Sequence, residues 1–177
     1  METVLIRVER PGDHLAVEDV VRAAFLTAEH SSGTEDKLVR ALRASEEFVS
    51  ELSLVAEISG RIVGHVLLTP IRIVDEGVTF KSLALAPVSV LPEFQGRGVG
   101  AGLMEEAHRV ARRMGYRSVI LLGHPGYYPR FGYRRASLFG ISAPFDVPDE
   151  ALMALELTPG ALEGVHGVVS YPPAFSE

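Results

Sequence analysis

The feature that most constrains this 177-residue sequence is a glycine-rich stretch at residues 90–100, Val-Leu-Pro-Glu-Phe-Gln-Gly-Arg-Gly-Val-Gly. An apolar run ends near Val90, and the residues after the stretch have the spacing of an amphipathic helix. The N-terminus of a helix presents unpaired backbone N–H groups and the positive end of the helix dipole. Glycine lets the backbone approach a ligand closely. The stretch therefore predicts a cradle for an anion such as a pyrophosphate, and Arg97 adds positive charge to it.

The segments on either side of this stretch predict a right-handed crossover between two parallel strands. The helix after the turn carries an apolar stripe from Val99 to Met114, and residues 118–122 form a short apolar run typical of a buried strand. Strand, turn, helix and strand in this order make the two strands parallel. Because Pro87 has no N–H, pairing along the first strand should fail or bulge at residues 86–89.

The rest of the chain alternates strand patterns with two short amphipathic helices. The helices should begin after Asp13 and Thr34, with a loop at residues 30–33 between them. The length favours one domain over residues 1–177. Besides residues 118–122, strand patterns cover residues 4–8, 54–58, 62–68, 71–74, 78–85, 153–157 and 168–171, and the strand at 78–85 leads into the glycine-rich stretch.

Composition excludes several classes of protein. The sequence has no cysteine, which excludes a disulfide framework, a thiolate nucleophile and a Cys-ligated zinc, and favours the cytoplasm. Charges at Glu2 and Arg7 occupy the place where a signal peptide needs an apolar run, and no segment is long enough to cross a bilayer. The net charge of −6 argues against nucleic acid as the main partner. We expect a cytoplasmic protein that has neither a membrane nor a nucleic-acid partner.

Charge is distributed unevenly along the chain. Residues 1–60 hold six basic and twelve acidic side chains, whereas residues 91–135 hold eight arginines and three glutamates. One interpretation is an anionic ligand near the glycine-rich stretch and a cationic ligand near the acidic part, especially residues 29–47. The alternative is that these charges lie on solvated faces of helices.

Other chemistry for this pattern is disfavoured. A Walker P-loop needs Lys and then Ser or Thr after its last glycine, but Ala101 and Gly102 follow here. A dinucleotide fingerprint needs different glycine spacing and a carboxylate about 20 residues later. The sequence has no Gly-x-Ser-x-Gly motif, which disfavours a hydrolase. The histidines lack metal-ligand spacing, so we predict no metal site.

Two motifs together resemble the GNAT superfamily of N-acetyltransferases, in particular its YhbS-like branch. Gln95-x-x-Gly98-x-Gly100 resembles the turn that holds the pyrophosphate of acetyl-coenzyme A (acetyl-CoA) in this superfamily. Residues 123–133 resemble its second signature, a tyrosine four residues before a Gly-aromatic pair. The resemblance implies an α/β GNAT fold: a mixed, mostly antiparallel sheet of six to seven strands, with helices on both faces. A central parallel pair of strands should splay at the cofactor site.

The resemblance also implies roles for individual residues. Tyr128 matches the general acid that protonates the leaving thiolate, and Tyr127 is the alternative. Arg130 is expected to favour the phenolate form of Tyr128. Tyr133 is expected to pack in the core. The backbone of Val88, Ser89 and Val90 would bind the pantetheine arm and the thioester oxygen. The residues assigned to the pyrophosphate, mainly through backbone N–H groups, are Gln95, Gly96, Arg97, Gly98, Val99 and Gly100.

The general base is less evident. His124 follows the predicted buried strand on the same side as the glycine-rich turn, and it is the first candidate. Glu35 on the second helix is the other. Each residue also has a purely structural interpretation. His124 would be a loop histidine bonded to the backbone, and Glu35 an exposed carboxylate in the first turn of a helix. A base that acts through water would leave no mark in the sequence.

These observations predict a transferase that moves an acetyl group from acetyl-CoA, its co-substrate, directly to a primary amine. Without a thiol nucleophile, no covalent enzyme intermediate is expected. The alternative function is a non-catalytic acyl-CoA sensor. A third interpretation is transfer of another acyl group. The acceptor, whether protein amine, small amine or amino sugar, and the oligomeric state, with a homodimer as one option, stay open.

Overall fold

The computed structural model describes residues 2–26 and 33–176. Most of the predicted loop at residues 30–33 lies outside this part of the chain. The described part contains three α-helices: α1 (His14–Phe25), α2 (Glu35–Arg43) and α3 (Val99–Arg113). Its nine strands are β1 (Val4–Val8), β2 (Ser53–Ile58), β3 (Arg61–Asp75), β4 (Val78–Val90), β5 (Ser118–Leu122), β6 (Arg134–Arg135), β7 (Ile141–Ser142), β8 (Leu152–Glu156) and β9 (Gly167–Ser170).

The strands form one mixed sheet in the order β1-β2-β3-β4-β5-β8-β6, with β7 and β9 off this path. The β4–β5 pair is parallel, as the crossover predicts. The β7–β9 pair is also parallel, and β9 pairs with β3 in addition. The described sheet thus has nine strands where six to seven were predicted. The difference arises because β6 and β7 have two residues each, too few to show a periodicity.

The chain divides into two compact units, each made of several segments. Unit 1 comprises Met1–Thr69, Ala86–Val110 and Pro173–Glu177, and unit 2 comprises Pro70–Leu85 and Ala111–Pro172. Strands β3 and β4 and helix α3 each contribute residues to both units. Within the described ranges, no helix is long and apolar enough to cross a membrane.

Unit 1 carries helices on both faces of its strands. Helices α1 and α2 bury Val21 and Val39 against Val55 of β2. On the neighbouring residue of β3, a Cβ built at Gly64 would lie 2.9 Å from Leu103 Cδ1 of α3. Val55 pairs with His65, the residue after Gly64, and successive residues of a strand face opposite sides. Helix α3 therefore covers the face opposite α1 and α2, which confirms the predicted arrangement.

A buried polar network joins α1 and α2 to the strands of unit 1. Ser53 Oγ lies 2.8 Å from Glu9 Oε1 and 2.9 Å from His65 Nε2. Because the Glu9 carboxylate only accepts, Ser53 donates its proton to Glu9, and His65 donates from Nε2 to Ser53. Arg43 links Glu9 to Glu18 of α1 at 2.7 and 3.1 Å. Burial, and then the charge of Arg43, lower the pKa of His65 to about 3, so this imidazole is neutral.

Unit 2 is organised around β5, which pairs with β4 on one side and antiparallel with β8 on the other. Leu83, Val119 and Ile120 are fully buried there, and Tyr133 is buried as predicted. The parallel register pairs only Leu83 with Val119 and Ala84 with Ile120, although β4 continues to Val90. The pairing thus ends before the residues at which Pro87 was predicted to interrupt it.

Candidate active site

The glycine-rich turn of unit 1 adopts backbone conformations that require glycine. Gly96 and Gly98 have φ angles of 76° and 83°, in the left-handed region. A Cβ at either position would have no heavy atom of the described residues within 4 Å, so the space beside the turn is open. The glycines at 96 and 98 are therefore needed for the path of the chain, and the turn is accessible to a ligand.

Helix α3 begins directly after this turn, at Val99. Gly102 N donates to Gly98 O at 3.0 Å, which closes the first helical turn. The amides of Val99, Gly100 and Ala101 precede this bond and, as at any helix start, have no acceptor within the helix. They add to the positive end of the helix dipole. The turn thus has the donors and the field that an anion needs.

The side chain of Gln95 closes the turn on itself. Its Nε2 donates to Val90 O at 3.0 Å, and Gln95 N donates to Pro92 O at 3.3 Å. The amide side chain thus holds the end of β4 at a fixed distance from the first glycine. The backbone N–H and the side-chain Nε2 of Gln95 are thus both engaged within the turn, so Gln95 shapes the turn, whereas the resemblance assigns its backbone to the pyrophosphate.

Two arginines lie against one aromatic ring beside the turn. The guanidinium carbon of Arg97 is 5.4 Å from the centroid of the Phe94 ring, and that of Arg61 is 5.6 Å from the same centroid. Arg61 also makes a 3.6 Å ion pair with Glu93. Phe94, to which the sequence interpretation gives no role, therefore restrains the cation that was predicted at the cradle.

The end of β4 contains a buried hydroxyl without a hydrogen-bond partner among the described residues. This is Ser89 Oγ, on a residue that is 2% exposed. Val88 and Val90 on either side are half-buried. Leu91 N donates to Val63 O at 2.8 Å, so β4 is held by β3 immediately after this segment. A buried polar atom without a partner is uncommon and marks a place where a ligand can supply one.

The tyrosine loop of unit 2 follows β5 and is built by aromatic packing. Tyr128 begins a 3₁₀ turn that ends at Phe131, and its ring packs edge-on against Tyr127 and Tyr133 at centroid distances of 5.0 and 6.1 Å. A Cβ built at Gly123 would lie 2.8 Å from Tyr128 Cδ2 and closer still to Cε2. Position 123 must therefore be glycine for Tyr128 to occupy its place.

Burial, and then the neighbouring Tyr127, raise the pKa of the Tyr128 phenol to about 12. Arg130, which was expected to favour the phenolate of Tyr128, is engaged elsewhere. Its guanidinium carbon lies 4.5 Å from the Tyr127 ring centroid, and Nε donates to Tyr127 O at 2.9 Å. Tyr128 is thus a protonated donor throughout the neutral pH range.

His124 lies in the same loop and is exposed. Its Nδ1 accepts a hydrogen bond from Gly126 N at 3.1 Å. In the neutral ring the proton is then on Nε2, and the free lone pair is already used. His124 can act as a base only after this bond to Gly126 breaks. The loop therefore brings together the predicted acid and one candidate base.

Glu35, the other candidate base, is the first residue of α2 and is half-buried. It belongs to unit 1, like the glycine-rich turn, whereas Tyr128 and His124 belong to unit 2. Among residues 2–26 and 33–176, no group of three or more His, Asp or Glu side chains is placed to hold a metal ion.

Comparison with known proteins agrees with this geometry. The acetyltransferase (GNAT) domain family matches residues 6–136. The uncharacterized N-acetyltransferase YhbS of Escherichia coli K12 is 31% identical over 174 residues, 98% of this chain and 99% of that protein. The uncharacterized N-acetyltransferase YjhQ of the same strain is 39% identical over 117 residues, 66% of this chain and 65% of YjhQ.

Two solved structures are similar over nearly the whole chain. One is the GNAT family N-acetyltransferase YhbS from E. coli in complex with CoA, with a TM-score of 0.90, 29% identity and coverage of 100% of this chain and 94% of that one. The other is a GNAT family acetyltransferase from Brucella melitensis in complex with acetyl-CoA, with a TM-score of 0.80, 34% identity and 99% coverage of both chains.

The fold and the glycine-rich turn thus define an acyltransferase of the N-acetyltransferase class. The chain belongs to the GNAT family. The predicted family and the mixed, mostly antiparallel α/β fold are confirmed. CoA and acetyl-CoA are bound in the two structural relatives.

Proposed function

We propose that this chain transfers the acetyl group of acetyl-CoA directly to a primary amine. The observation that carries the proposal is the left-handed glycine turn, open to a ligand, at the start of α3. The pyrophosphate would bind to the backbone N–H groups of residues 96–100, with Arg97 beside it and Gln95 holding the turn in shape. The Ser89 hydroxyl, which has no hydrogen-bond partner among residues 2–26 and 33–176, fits an amide-rich arm that lies along residues 88–90.

The proposal also includes the domain organisation of the enzyme and its cellular compartment. The matched family region, residues 6–136, includes parts of both units, which supports a single catalytic domain over residues 1–177. The absence of cysteine supports a cytoplasmic enzyme.

The chemistry assigned to the residues is proton transfer and positioning. Acetyl-CoA supplies a thioester whose carbonyl carbon is attacked by the amine nitrogen: a C–N bond forms, the C–S bond breaks and a thiolate leaves. Tyr128 gives its phenolic proton to that sulfur. The amine loses its proton to His124 or Glu35, directly or through water. No enzyme group becomes acylated, so both substrates bind before the reaction.

The raised pKa of Tyr128 affects this step. An ordinary thiol has a pKa of ~8.5, so a phenol whose pKa is about 12 is the weaker acid of the two. We therefore propose that the proton moves only as negative charge develops on sulfur, and that Tyr128 acts first as a hydrogen-bond donor. The phenol does not ionise within the usual assay range, so it adds no alkaline limb to the pH profile.

The test combines cofactor binding with turnover. Calorimetry should show saturable binding of acetyl-CoA, and release of free thiol should depend on an added amine from a panel of acceptors. Tyr128→Phe should lower kcat by about 100-fold, in the range of one general acid, while the Kd for acetyl-CoA stays unchanged. Tyr127→Phe is the matched variant and should retain most of the turnover. Absence of CoA binding at millimolar concentration would end the proposal.

One observation favours a second candidate function, a non-catalytic acyl-CoA sensor. The His124 lone pair is already bonded to Gly126 N, so the loop holds no base that is ready to act. A sensor would bind acetyl-CoA and release no thiol with any amine. Amine-dependent turnover that falls in Tyr128→Phe, with cofactor affinity kept, would reject it.

A further inference from the structure

Unit 2 contains a cavity of about 700 Å³, and none of the residues assigned to acetyl transfer lines it. Its walls come from the beginning of β4, the segment between α3 and β5, and the loop before β9. The cavity therefore lies at the N-terminal ends of the parallel strands β4 and β5. The tyrosine loop follows the other end of β5, a strand of about 16 Å. The volume is in the range of small-molecule sites.

The apolar part of this cavity includes two aromatic rings and a thioether beside Ala161 and Val165. Phe80 and Tyr116 are half-buried, and Met114 is 38% exposed. Aromatic faces of this kind stack on planar rings, and the methionine sulfur adapts to the edge of such a ring. These walls favour a ligand with a flat, unsaturated ring.

The polar part is positively charged. Lys81 and Arg117 line the cavity and are exposed, and neither side chain has a hydrogen-bond or ion-pair partner in the part of the chain that the structure describes. Arg109 and Arg135, by contrast, are paired with Glu106 and Asp149. One carboxylate, Glu163, also lines the cavity. Two cations without partners are suited to a dianion, and a guanidinium can hold two of its oxygens at once.

We propose that this cavity binds a nucleoside monophosphate, with the base between Phe80 and Tyr116 and the phosphate against Lys81 and Arg117. A phosphomonoester is attracted by the net positive charge that Lys81 and Arg117 leave after Glu163 is counted, and a nucleobase has the planar ring that the walls favour. None of the described residues that line the cavity belongs to the glycine-rich turn or to the tyrosine loop, which follows the other end of β5. The cavity binds a second ligand and takes no part in acetyl transfer.

The test uses adenosine 5′-monophosphate as the probe and full-length protein saturated with acetyl-CoA. Saturation fills the cofactor site, so binding seen by calorimetry reports another site. Lys81→Gln and Arg117→Gln should each weaken the Kd for the probe by about tenfold, the effect of one charged hydrogen bond at an exposed position. Arg113→Gln is the matched control, since Arg113 is exposed and does not line the cavity. Unchanged melting temperatures show that each variant is folded.

Two partial probes separate the contributions of ring and phosphate. Adenosine and inorganic phosphate should each bind at least tenfold more weakly than the monophosphate. Equal binding of inorganic phosphate would overturn the ring-stacking part of the proposal. Competition between the monophosphate and acetyl-CoA, no saturable binding at millimolar concentration, or equal Kd values in Lys81→Gln, Arg117→Gln and Arg113→Gln would each overturn the site.

Discussion

The glycine-rich turn and the tyrosine loop both follow a strand, yet they are built in different ways. At Gly96 and Gly98 an added Cβ would have none of the described residues within 4 Å, and the structural requirement is a positive φ. At Gly123 a side chain would collide with Tyr128. The first region therefore depends on backbone conformation and the second on side-chain packing. A methyl group added to each should consequently damage a different part of the function.

Gly123→Ala should have the largest effect. The added methyl displaces the ring of Tyr128, and misplacement of a catalytic group by about 1 Å costs on the order of 100-fold in rate. We expect kcat for acetyl transfer to fall by about that factor, with little change in the Kd for acetyl-CoA. Steady-state kinetics and calorimetry measure the two quantities separately.

Gly126→Ala, in the same loop, is the matched comparison for Gly123→Ala. Its Cβ would lie 3.2 Å from His124 Nδ1 and would disturb His124 rather than Tyr128. A loss of kcat in Gly126→Ala alone would assign the main role in the loop to His124. Equal Kd and kcat losses in Gly123→Ala would contradict the distinction between the two regions.

A change of pH from 7 to 5 affects the stability of unit 1 through His65. The pKa of His65 is about 3 in the folded chain and ~6.5 in the unfolded chain. Between these two pH values the unfolded chain binds a proton at His65 and the folded chain does not, which favours unfolding. The contribution of neutral His65 to the free energy of unfolding is fully present above pH ~6.5 and is lost as the pH falls towards about 3. Between pH 7 and pH 5 the loss is about 2 kcal/mol. Tyr128 stays protonated throughout.

Urea unfolding at pH 7 and pH 5 measures this loss of stability. His65→Asn removes the titrating group, so the difference between the two pH values should shrink by about 2 kcal/mol relative to the wild type. The same difference in both proteins would show that His65 is not the group responsible.

Gly98→Ala should weaken cofactor binding by about tenfold. Alanine at a φ of 83° costs ~1–2 kcal/mol, and the turn relieves this cost by moving its N–H groups. Gly60→Ala is the matched control, because Gly60 has a φ of 81°, lies in the β2–β3 turn and also has open space. Both variants should lose stability, and only Gly98→Ala should lose affinity for acetyl-CoA. Equal affinities would remove the turn from the cofactor site.

Phe94→Leu should have the smallest effect. It removes the ring that restrains Arg97 but keeps both the charge and the backbone path. A cation–π contact at an exposed site contributes ~0.5–1 kcal/mol, so the Kd for acetyl-CoA should rise about threefold. Arg97→Gln, measured by the same calorimetry, should exceed this effect. A larger loss in Phe94→Leu would show that the ring itself contacts the cofactor.

The same distinction explains what the sequence could predict. The β4–turn–α3–β5 segment depends on local spacing and on glycine, both visible in the sequence, and the structure has it as predicted. The position of Tyr128 over Gly123 and that of Arg130 on Tyr127 depend on which rings meet after folding, so residue types alone could not reveal them. The sequence motifs indicated the candidate residues, and the contacts made after folding determined their geometry.

The pairing of strands that are far apart in the sequence also could not be predicted from the sequence. Strand β9 pairs with β3 through Val169 and Ile73, almost 100 residues apart, and no local pattern records such a pairing. Strands of two residues, such as β6 and β7, are equally invisible to periodicity. The partnerless hydroxyl of Ser89 could not be predicted either, because hydrogen-bond satisfaction depends on every neighbour in three dimensions.

Two missing side chains set the height of α3 above the sheet of unit 1. A Cβ at Gly64 of β3 would press on Leu103, Val99 and Ser89 O, and a Cβ at Gly102 of α3 would lie 3.0 Å from Ile6 Cδ1. The helix that carries the positive dipole end is therefore seated by hydrophobic volume. A single methyl group added at either position would therefore raise the helix and move the electrostatic field at the anion cradle.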